Sequence, residues 1–233
     1  MSAASSEIPL PSPYVRGPLW FTLQMILQNF FCFWLGYRAT GYHALEKESG
    51  ALILANHQSF LDPLLVGLPL HRPISFLARE TLFKVPVVGF ILRKTHVMAI
   101  NQEAPSSTSL RETVRALHHG FLVGIFPEGT RTHDGNLNEF KPGFAAVIRR
   151  AKRPIYPVGI AGAYQALPIK SWFIKPTRVR VVFGKPITVE ELEPFTQRGQ
   201  DAALVALVRE RITACCEAAE GWRKTGQPPK SLP

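Results

Sequence analysis

An unbroken apolar run, Ala51–Ala55, most constrains the fold of this chain. Apolar residues in a row, without polar alternation, are typical of a β-strand that is buried on both faces, and such strands occur in parallel sheets covered by helices. Similar runs recur along the chain, with helical stretches between several of them. The sequence therefore predicts an α/β fold with a mixed, mostly parallel sheet flanked by helices.

The expected elements alternate over most of the 233 residues. The expected strands are Ala51–Ala55, Ile74–Ala78, Val97–Ile100, Leu122–Phe126, Ile155–Ile160 and Val179–Phe183. The expected helices are Pro63–Leu68, Thr81–Leu92, Ser107–His119, Gly143–Arg150 and Ala202–Trp222. A chain of this length is expected to form one α/β domain, here residues 39–222. Residues 1–16, which are rich in Ser and Pro, are expected to be disordered, and residues 223–233 to form a flexible tail.

Residues 17–38 are expected to form a membrane-associated helix. No charged residue lies between Arg16 and Arg38, and Trp20 and Trp34 are placed like interfacial anchors. A polar stripe of Gln24, Gln28 and Asn29 favours a helix that lies in the interface or in one leaflet. A single full span is the alternative.

The charge of the chain indicates an anionic partner. The net charge is +10 at pH 7, and the stretch from Lys141 to Lys185 is rich in basic residues but contains no acidic one. An acidic membrane leaflet and the phosphates of an acyl donor such as coenzyme A both fit this block. Nucleic acid is disfavoured because no binding motif of that class is present. The three cysteines suggest neither a disulfide framework nor a metal site.

A polar segment directly follows the first apolar run and contains a histidine and a carboxylate. His57 falls in a strand-to-helix turn, and Asp62-Pro63 is typical of a helix start, with Asp62 at the N-cap. Histidines titrate near neutral pH, and one held by a carboxylate can take a proton from a hydroxyl. Taken alone, the segment favours a simpler interpretation, in which Asp62 only caps a helix and His57 is an ordinary polar residue of a loop.

A second polar turn follows the apolar run Phe121–Phe126. Its residues are Pro127, Glu128, Gly129, Thr130 and Arg131. The glycine lets backbone approach a ligand, and the planar guanidinium of an arginine suits phosphate. If the two preceding strands are parallel neighbours, both turns open at the same edge of the sheet.

These motifs resemble the glycerophospholipid acyltransferases, in particular the bacterial 1-acyl-glycerol-3-phosphate acyltransferases. The resemblance rests on N-H-x-S-x-x-D at Asn56–Asp62 and F-P-E-G-T-R at Phe126–Arg131. It extends to the K-x-E-L-x-x-x-P-x-x-G stretch, with Arg79 in place of Lys, to F-K-x-G at Phe140–Gly143 and to the V-P-V strand at Tyr156–Ile160, and it covers roughly residues 40–188. One departure concerns the acceptor: the family's I-D-R is Ile100-Asn101-Gln102 here, so the arginine that helps to hold the acceptor phosphate is replaced by Gln102.

The resemblance implies transfer of an acyl group from a thioester, acyl-CoA or acyl-ACP, to a lysophospholipid hydroxyl at the cytoplasmic face of the cell membrane. No cofactor or metal is implied, and acyl carrier protein is a candidate partner. His57 is expected to be the general base and Asp62 to orient it. Ser59 is expected to hold the turn, since no G-x-S-x-G elbow is present. Substrate-binding roles are expected for Glu128, Gly129, Thr130, Arg131, Arg79 and Lys141.

For four of these residues the expected roles are more specific. Arg131 is expected to hold a phosphate on the acceptor, with Lys141 as the lesser candidate for the same group. Glu128 is expected either to fix the turn or to touch an acceptor hydroxyl, and backbone N–H groups near Gly129 to face the oxyanion. Two alternative functions remain open: another lyso-lipid acceptor, and a non-catalytic protein that binds anionic lipid.

Overall fold

Seven strands form one sheet in the computed structural model, which describes residues 12–14, 17–79, 84, 98–100, 107–197 and 199–233. The side chains of residues 19, 77–79, 98–100, 107 and 108 lie outside that description. The strands are β1 (Arg38–Thr40), β2 (Ala51–Ala55), β3 (Ile74–Arg79), β4 (Met98–Ile100), β5 (Leu122–Ile125), β6 (Ile155–Ala161) and β7 (Arg180–Phe183). Their order is β1-β7-β6-β2-β5-β3-β4.

The sheet is mixed and mostly parallel, as predicted. Among the seven described strands, β6 and β7 form the one antiparallel pair, and β1 runs parallel to β7. All six expected strands are present, each within one residue of its expected ends. Strand β1 was not predicted, because Arg38–Thr40 is too short and too polar to show an apolar run.

Helices cover both faces of this sheet. They are α1 (Pro18–Trp34), α2 (Asp62–Gly67), α3 (Ser107–His118), α4 (Gly143–Ala151), α5 (Ala163–Ala166), α6 (Val189–Leu192) and α7 (Asp201–Thr225), with 3-10 helices at Tyr42–Lys47 and Glu193–Phe195. The expected helix Thr81–Leu92 lies outside the described residues, apart from residue 84. The expected domain boundary at residue 222 falls inside α7, and the N–H of Lys185 donates to the carbonyl of Pro233.

The core explains why the run in β2 is unbroken. Ala51, Ile53 and Ala55 pack in the cluster that contains α1, α2 and α5. Leu52 and Leu54 point to the opposite face, under α3, α4 and α7. Each large aliphatic side chain that is fully buried contributes about 1.5–3 kcal/mol to folding. Both faces of β2 therefore need apolar residues.

Helix α7 lies very close to β6, and a glycine permits this approach. A Cβ atom on Gly159 would lie 2.1 Å from the carbonyl carbon of Cys215. Any larger residue at Gly159 would force the helix away from the sheet.

Helix α1 is attached to the domain by more than apolar packing. Phe31 is buried in the core, and the Gln24 amide donates to the carbonyls of Leu68 and Leu70 at 2.9 and 2.7 Å. Gln24 therefore links α1 to the end of α2. The sequence predicted Gln24 only as part of a polar stripe, not as a contact with the rest of the domain. No helix in the described part of the chain combines the length and the apolarity needed to cross a membrane, so the single-span alternative finds no support there.

Candidate active site

Both polar turns lie at one edge of the sheet, as expected. Strands β2 and β5 are parallel neighbours, with Leu54 paired to Ile125, so their C-terminal ends lie side by side. The turn after β2 (Asn56–Leu61) and the turn after β5 (Phe126–Arg131) are called the first and second turns below. The edge where they meet is called the active-site edge, since open α/β sheets bind their ligands beyond the carboxyl ends of the strands.

Asn56 shapes the start of the first turn. Its amide group donates to the carbonyl of Ile160 at 3.0 Å and accepts from the N–H of the same residue at 2.8 Å. The Asn56 side chain thus continues the pairing between β2 and β6 by one residue. It fixes the point at which the chain leaves the sheet toward His57.

His57 and Asp62 form a hydrogen-bonded pair, with 2.8 Å between Nδ1 and Oδ2. The same Oδ2 accepts from the backbone N–H groups of Gln58 and Ser59 at 2.6 and 2.7 Å. An ionised carboxylate only accepts hydrogen bonds, so we assign the imidazole proton to Nδ1. Nε2 makes no hydrogen bond within the described part of the chain, and 19% of the side chain is exposed. Nε2 is thus free to accept a proton from a ligand.

Asp62 is fully buried, and burial changes its acidity. Burial raises the pKa of the Asp62 carboxyl, and the hydrogen bonds from His57, Ser59 and Gln58 offset only part of that shift. The expectation that Asp62 is the N-cap of α2 is wrong: Leu61 is at that position, and Asp62 is the first helical residue. Its carboxylate points back into the first turn because three hydrogen-bond donors converge there.

The second turn holds the backbone of His57 on both sides. Glu128 Oε1 accepts from the N–H of His57 at 2.6 Å, and the N–H of Thr132 donates to the carbonyl of His57 at 2.9 Å. Glu128 Oε2 accepts from the N–H of Asn138 at 2.9 Å. Of the two expected roles of Glu128, these contacts match fixing the turn.

Glu128 is the second buried carboxylate of the site. Only 2% of its surface is exposed, and burial raises its pKa. The backbone N–H groups of His57 and Asn138 counter that shift in part, while the nearby Asp62 adds to it. Glu128 is therefore buried and hydrogen-bonded as a group that links two segments of the chain, and it is not open to a substrate.

An aromatic ring fixes the plane of the imidazole. The Phe126 ring stacks on His57 with 4.1 Å between ring centroids and 15° between planes, and Phe76 stacks in turn on Phe126 at 5.6 Å. This stacking and the hydrogen bond to Asp62 together hold the imidazole ring in one orientation.

Two cations lie in or beside the second turn without an acidic partner. Arg131 is half-buried and Lys141 is exposed, and neither forms a salt bridge among the described residues. A Cβ atom on Gly129 would lie 3.2 Å from Nζ of Lys141, which places this ammonium group over the turn. Gly129 has φ +69°, a conformation that favours glycine. Unpaired cations at such a turn can bind an anionic group.

The N–H groups of the second turn are not all available for an oxyanion. The N–H of Gly129 donates to the carbonyl of Phe126 at 3.0 Å. Those of Thr130 and Arg131 have no partner among the described residues. Of the N–H groups expected to face an oxyanion near Gly129, those of Thr130 and Arg131 are therefore the remaining candidates.

Ser59 holds the first turn, as expected. Its hydroxyl is buried and donates to the carbonyl of Leu167 at 2.9 Å, while it accepts from the N–H of Leu61 at 3.3 Å. This hydroxyl is engaged inside the protein and is directed away from a role as nucleophile.

The remaining expected site residues are only partly placed. Arg79 ends β3 at the active-site edge, but its side chain and the whole of Gln102 lie outside what the structure describes. Asn56, Phe126 and Asn138 contribute to the site although no role was expected for them. Asn56 and Phe126 stand at the ends of apolar runs, a signal that could have singled them out. Nothing in the sequence marks Asn138, because its contribution is a backbone N–H.

Comparisons with known proteins agree with this geometry. The model of the acyltransferase family matches residues 36–161. The 1-acyl-sn-glycerol-3-phosphate acyltransferase of Bacillus subtilis is 26% identical over 76% of this chain and 86% of its own length. That of Borreliella burgdorferi is 31% identical over 64% of this chain and 57% of its own length.

A solved structure shares the fold. The crystal structure of the 1-acyl-sn-glycerophosphate acyltransferase PlsC from Thermotoga maritima aligns with a TM-score of 0.71 and 24% identity, over 87% of this chain and 79% of that one. The family match covers more than half of this chain and includes both turns. The chain therefore belongs to the acyltransferase family, and it is an O-acyltransferase rather than a purely lipid-binding protein.

Proposed function

We propose that this acyltransferase moves a fatty acyl group from a thioester to the free hydroxyl of a lysophospholipid. The proposed acceptor is 1-acyl-glycerol-3-phosphate and the product is phosphatidate, so the enzyme serves phospholipid synthesis. The observation that carries the proposal is the His57–Asp62 pair, in which Nδ1 is held and Nε2 is free. The names of the bacterial relatives support the choice of acceptor.

In the proposed mechanism, His57 acts as general base. Nε2 takes the proton of the acceptor hydroxyl while its oxygen attacks the thioester carbonyl. The tetrahedral intermediate then collapses, the C–S bond breaks, and the departing thiolate receives the proton from the imidazolium. Asp62 stabilises the imidazolium through Nδ1. Such proton transfer contributes about 10²–10⁴-fold to the rate.

The second turn supplies the proposed charge stabilisation. The free N–H groups of Thr130 and Arg131 are the best-placed backbone donors for the oxyanion. The side chains of Arg131 and Lys141 are proposed to hold the acceptor phosphate, because they are cations without acidic partners beside this turn. Arg79 is proposed to assist from the end of β3.

The proposed acyl donor is acyl-CoA or acyl-ACP. A thioester is already activated, so transfer to an alcohol requires neither a covalent enzyme intermediate nor a cofactor. Those basic residues of the stretch from Lys141 to Lys185 that lie at the active-site edge suit the phosphates of coenzyme A as well as the acidic surface of an acyl carrier protein.

A second candidate acceptor follows from one sequence position. Gln102 stands where the family carries an arginine that helps to hold phosphate. The absence of this arginine should weaken the binding of lysophosphatidate more than that of a lyso-lipid with a different headgroup. The chemistry at His57 would be the same.

We further propose that the enzyme works at the cytoplasmic face of the cell membrane, attached through α1. This helix leaves large apolar side chains uncovered along one side, among them Phe21, Met25, Ile26, Phe30 and Phe33. A soluble protein seldom exposes so many apolar residues on one short helix.

The experiment is an acyl-transfer assay with purified protein in mild detergent. Thiol release from acyl-CoA would be measured with lysophosphatidate and with lysolipids of other headgroups, and His57→Ala would serve as the control. We expect release that requires both lysophosphatidate and His57. Release that persists in His57→Ala protein would contradict the base assignment, and release only with another lysolipid would establish the second acceptor.

A further inference from the structure

A second exposed apolar feature lies outside α1, in residues 167–175, which we name the aromatic loop. Trp172 is 92% exposed and Phe173 is 52% exposed. Exposed neighbouring aromatic side chains of this size mark an interaction site more often than an ordinary surface. The loop is held internally, since the N–H of Ser171 donates to the carbonyl of Pro168 and that of Lys175 to the carbonyl of Ala166. The two rings are therefore presented outward by a defined turn.

The topology places this loop at the active-site edge. It leaves the C-terminal end of β6, which is parallel to β2, and leads to β7, which runs back antiparallel to β6. Its first residue accepts a hydrogen bond from the Ser59 hydroxyl at 2.9 Å. Near its other end, the indole N–H of Trp34 donates to the carbonyl of Ile174 at 2.8 Å. The aromatic loop thus lies between the first turn and the end of α1.

Neighbouring segments extend the apolar surface. Phe33 near the end of α1 is 88% exposed, and Phe60 in the first turn is 52% exposed. Three separate segments, α1, the first turn and the aromatic loop, therefore present apolar side chains at or next to the same edge. Exposed apolar side chains that were distributed at random over the surface would not be expected to cluster beside the catalytic histidine.

The charges beside these rings decide which partner fits. Lys170, Lys175 and Arg178 are exposed, and no acidic residue occurs between Lys141 and Lys185. Aromatic rings at the headgroup level, with ammonium groups reaching lipid phosphates, are typical of proteins at an anionic bilayer surface. A protein partner fits less well, because protein–protein interfaces are depleted of lysine.

We propose that the aromatic loop is a second membrane anchor, which inserts Trp172 and Phe173 into the headgroup region of an anionic bilayer beside α1. Lys170 and Lys175 bind the lipid phosphates. Two neighbouring anchors, α1 and the aromatic loop, fix the orientation of the enzyme, so that the active-site edge faces the lipid. The purpose of this orientation rests on the proposed lipid acceptor, but the anchoring itself can be measured without turnover.

The test compares vesicle binding of Trp172→Ser/Phe173→Ser protein with the wild type. Cosedimentation would use vesicles of equimolar phosphatidylglycerol and phosphatidylcholine. We expect binding to weaken about tenfold or more, because two large apolar side chains are lost. Trp172→Phe is the conservative control and should keep most of the binding.

A charge-matched pair of variants tests the role of the lysines. Lys170→Gln/Lys175→Gln should weaken binding to anionic vesicles and reduce its dependence on salt. Lys47→Gln/Lys185→Gln removes the same charge from exposed residues at the opposite edge of the sheet, before β2 and after β7, and should change little. Equal effects of the two pairs would show that only net charge matters, which would overturn the assignment of the loop.

A fluorescence measurement keeps the proposal testable if the double serine variant fails to fold. Vesicles that contain brominated phosphatidylcholine should quench wild-type emission more than that of Trp172→Phe protein, which keeps Trp20, Trp34 and Trp222. Equal quenching of the two proteins would place Trp172 outside the bilayer and overturn the proposal.

The outcomes separate this inference from the proposed function. Activity on detergent-dispersed acceptor should be unchanged in Trp172→Ser/Phe173→Ser protein, while vesicle binding falls. Absence of acyl transfer in every protein, together with this loss of binding, would contradict the proposed function and leave the anchor supported. Unchanged binding would show that α1 alone attaches the enzyme. Loss of self-association in sedimentation velocity, without any vesicle binding, would assign the loop to a second copy of the chain.

Discussion

The two turns at the active-site edge use their residues in opposite ways. In the first turn and at the start of α2, the side chains of Asn56, Ser59 and Asp62 all make hydrogen bonds inside the protein, and together they fix one imidazole. In the second turn, Glu128 makes hydrogen bonds inside the protein in the same manner. Arg131 in this turn and Lys141 beside it have no acidic partner among the described residues. The first turn is rigid around a single reactive atom, and the second leaves cations available to a ligand.

This difference indicates how the work is divided. A general base must be held within a few tenths of an ångström, so its surroundings are satisfied by protein groups. An anion-binding group must be left unsatisfied until its ligand arrives. Loss of the carboxylate that holds His57 should therefore lower kcat, and loss of a free cation should raise KM.

The largest expected effect is that of Asp62→Asn. The amide still accepts from Nδ1 but cannot stabilise the imidazolium by charge, so kcat should fall about 10²–10⁴-fold. Asp201→Asn, at the start of α7, is the matched control and should keep full activity. A fall of less than about threefold would contradict the role of Asp62.

The same variant predicts a dependence of stability on pH. Burial raises the pKa of the Asp62 carboxyl in the folded protein above its pKa in the unfolded chain. The contribution of this carboxyl to the free energy of unfolding is therefore fully present below the pKa of the unfolded chain, and it is lost as the pH rises through the pKa of the folded protein. The free energy of unfolding of Asp62→Asn protein, relative to the wild type, should therefore increase as the pH rises above about 4. Urea unfolding at a series of pH values measures this, and a constant difference would show that the carboxyl does not titrate as inferred.

Arg131→Ala should give the next largest effect, in binding rather than in turnover. Loss of a charged hydrogen bond to phosphate should raise KM for a phosphorylated acceptor about 10–100-fold, with a small change in kcat. Lys141→Ala should act in the same direction but less. Arg111→Ala, on an exposed position of α3, is the control. An equal effect on acceptors with and without phosphate would show that Arg131 does not bind that group.

Glu128→Gln tests the link between the turns. Glutamine can accept only one of the two backbone N–H groups that Glu128 now binds, so the free energy of unfolding should fall by about 1–3 kcal/mol. We expect kcat to fall about tenfold through the displaced His57 backbone, with KM nearly unchanged. Glu139→Gln, an exposed glutamate close by, should be silent. A rise in KM alone would instead indicate that Glu128 contacts the acceptor.

Ser59→Ala should have the smallest effect. The lost hydrogen bond to Leu167 should cost about 1 kcal/mol of stability, with activity within about threefold of the wild type. Mass spectrometry of quenched reactions should detect no acyl group on the wild-type protein. An acyl adduct on Ser59, absent from Ser59→Ala protein, would replace direct transfer by a covalent mechanism.

Much of this picture could be predicted from local sequence. The expected strands appear because apolar runs report burial on both faces, and the His57–Asp62 pair forms within a span of a few residues. The position of Asp62 at the helix start was misjudged, because a carboxylate before proline looks like a cap whether or not a nearby turn offers better donors. Strand β1 was missed because its pairing with β7 depends on residues far away in the chain.

The sequence by itself determined the α/β class, the two turns and the chemistry that their residues offer, because these depend on apolar runs and on residue types close together in the chain. Only the tertiary structure decided what each polar group does. Glu128 and His57 are 71 residues apart, and the pairing of β2 with β5 is what brings them together. The basic block, continuous in sequence, is divided by the fold: Lys170 and Lys175 lie at the active-site edge, while Arg149 and Lys152 lie at the opposite edge, before β6. The physical reason is that strand order and direction set which distant residues share an edge, and no local pattern contains that information.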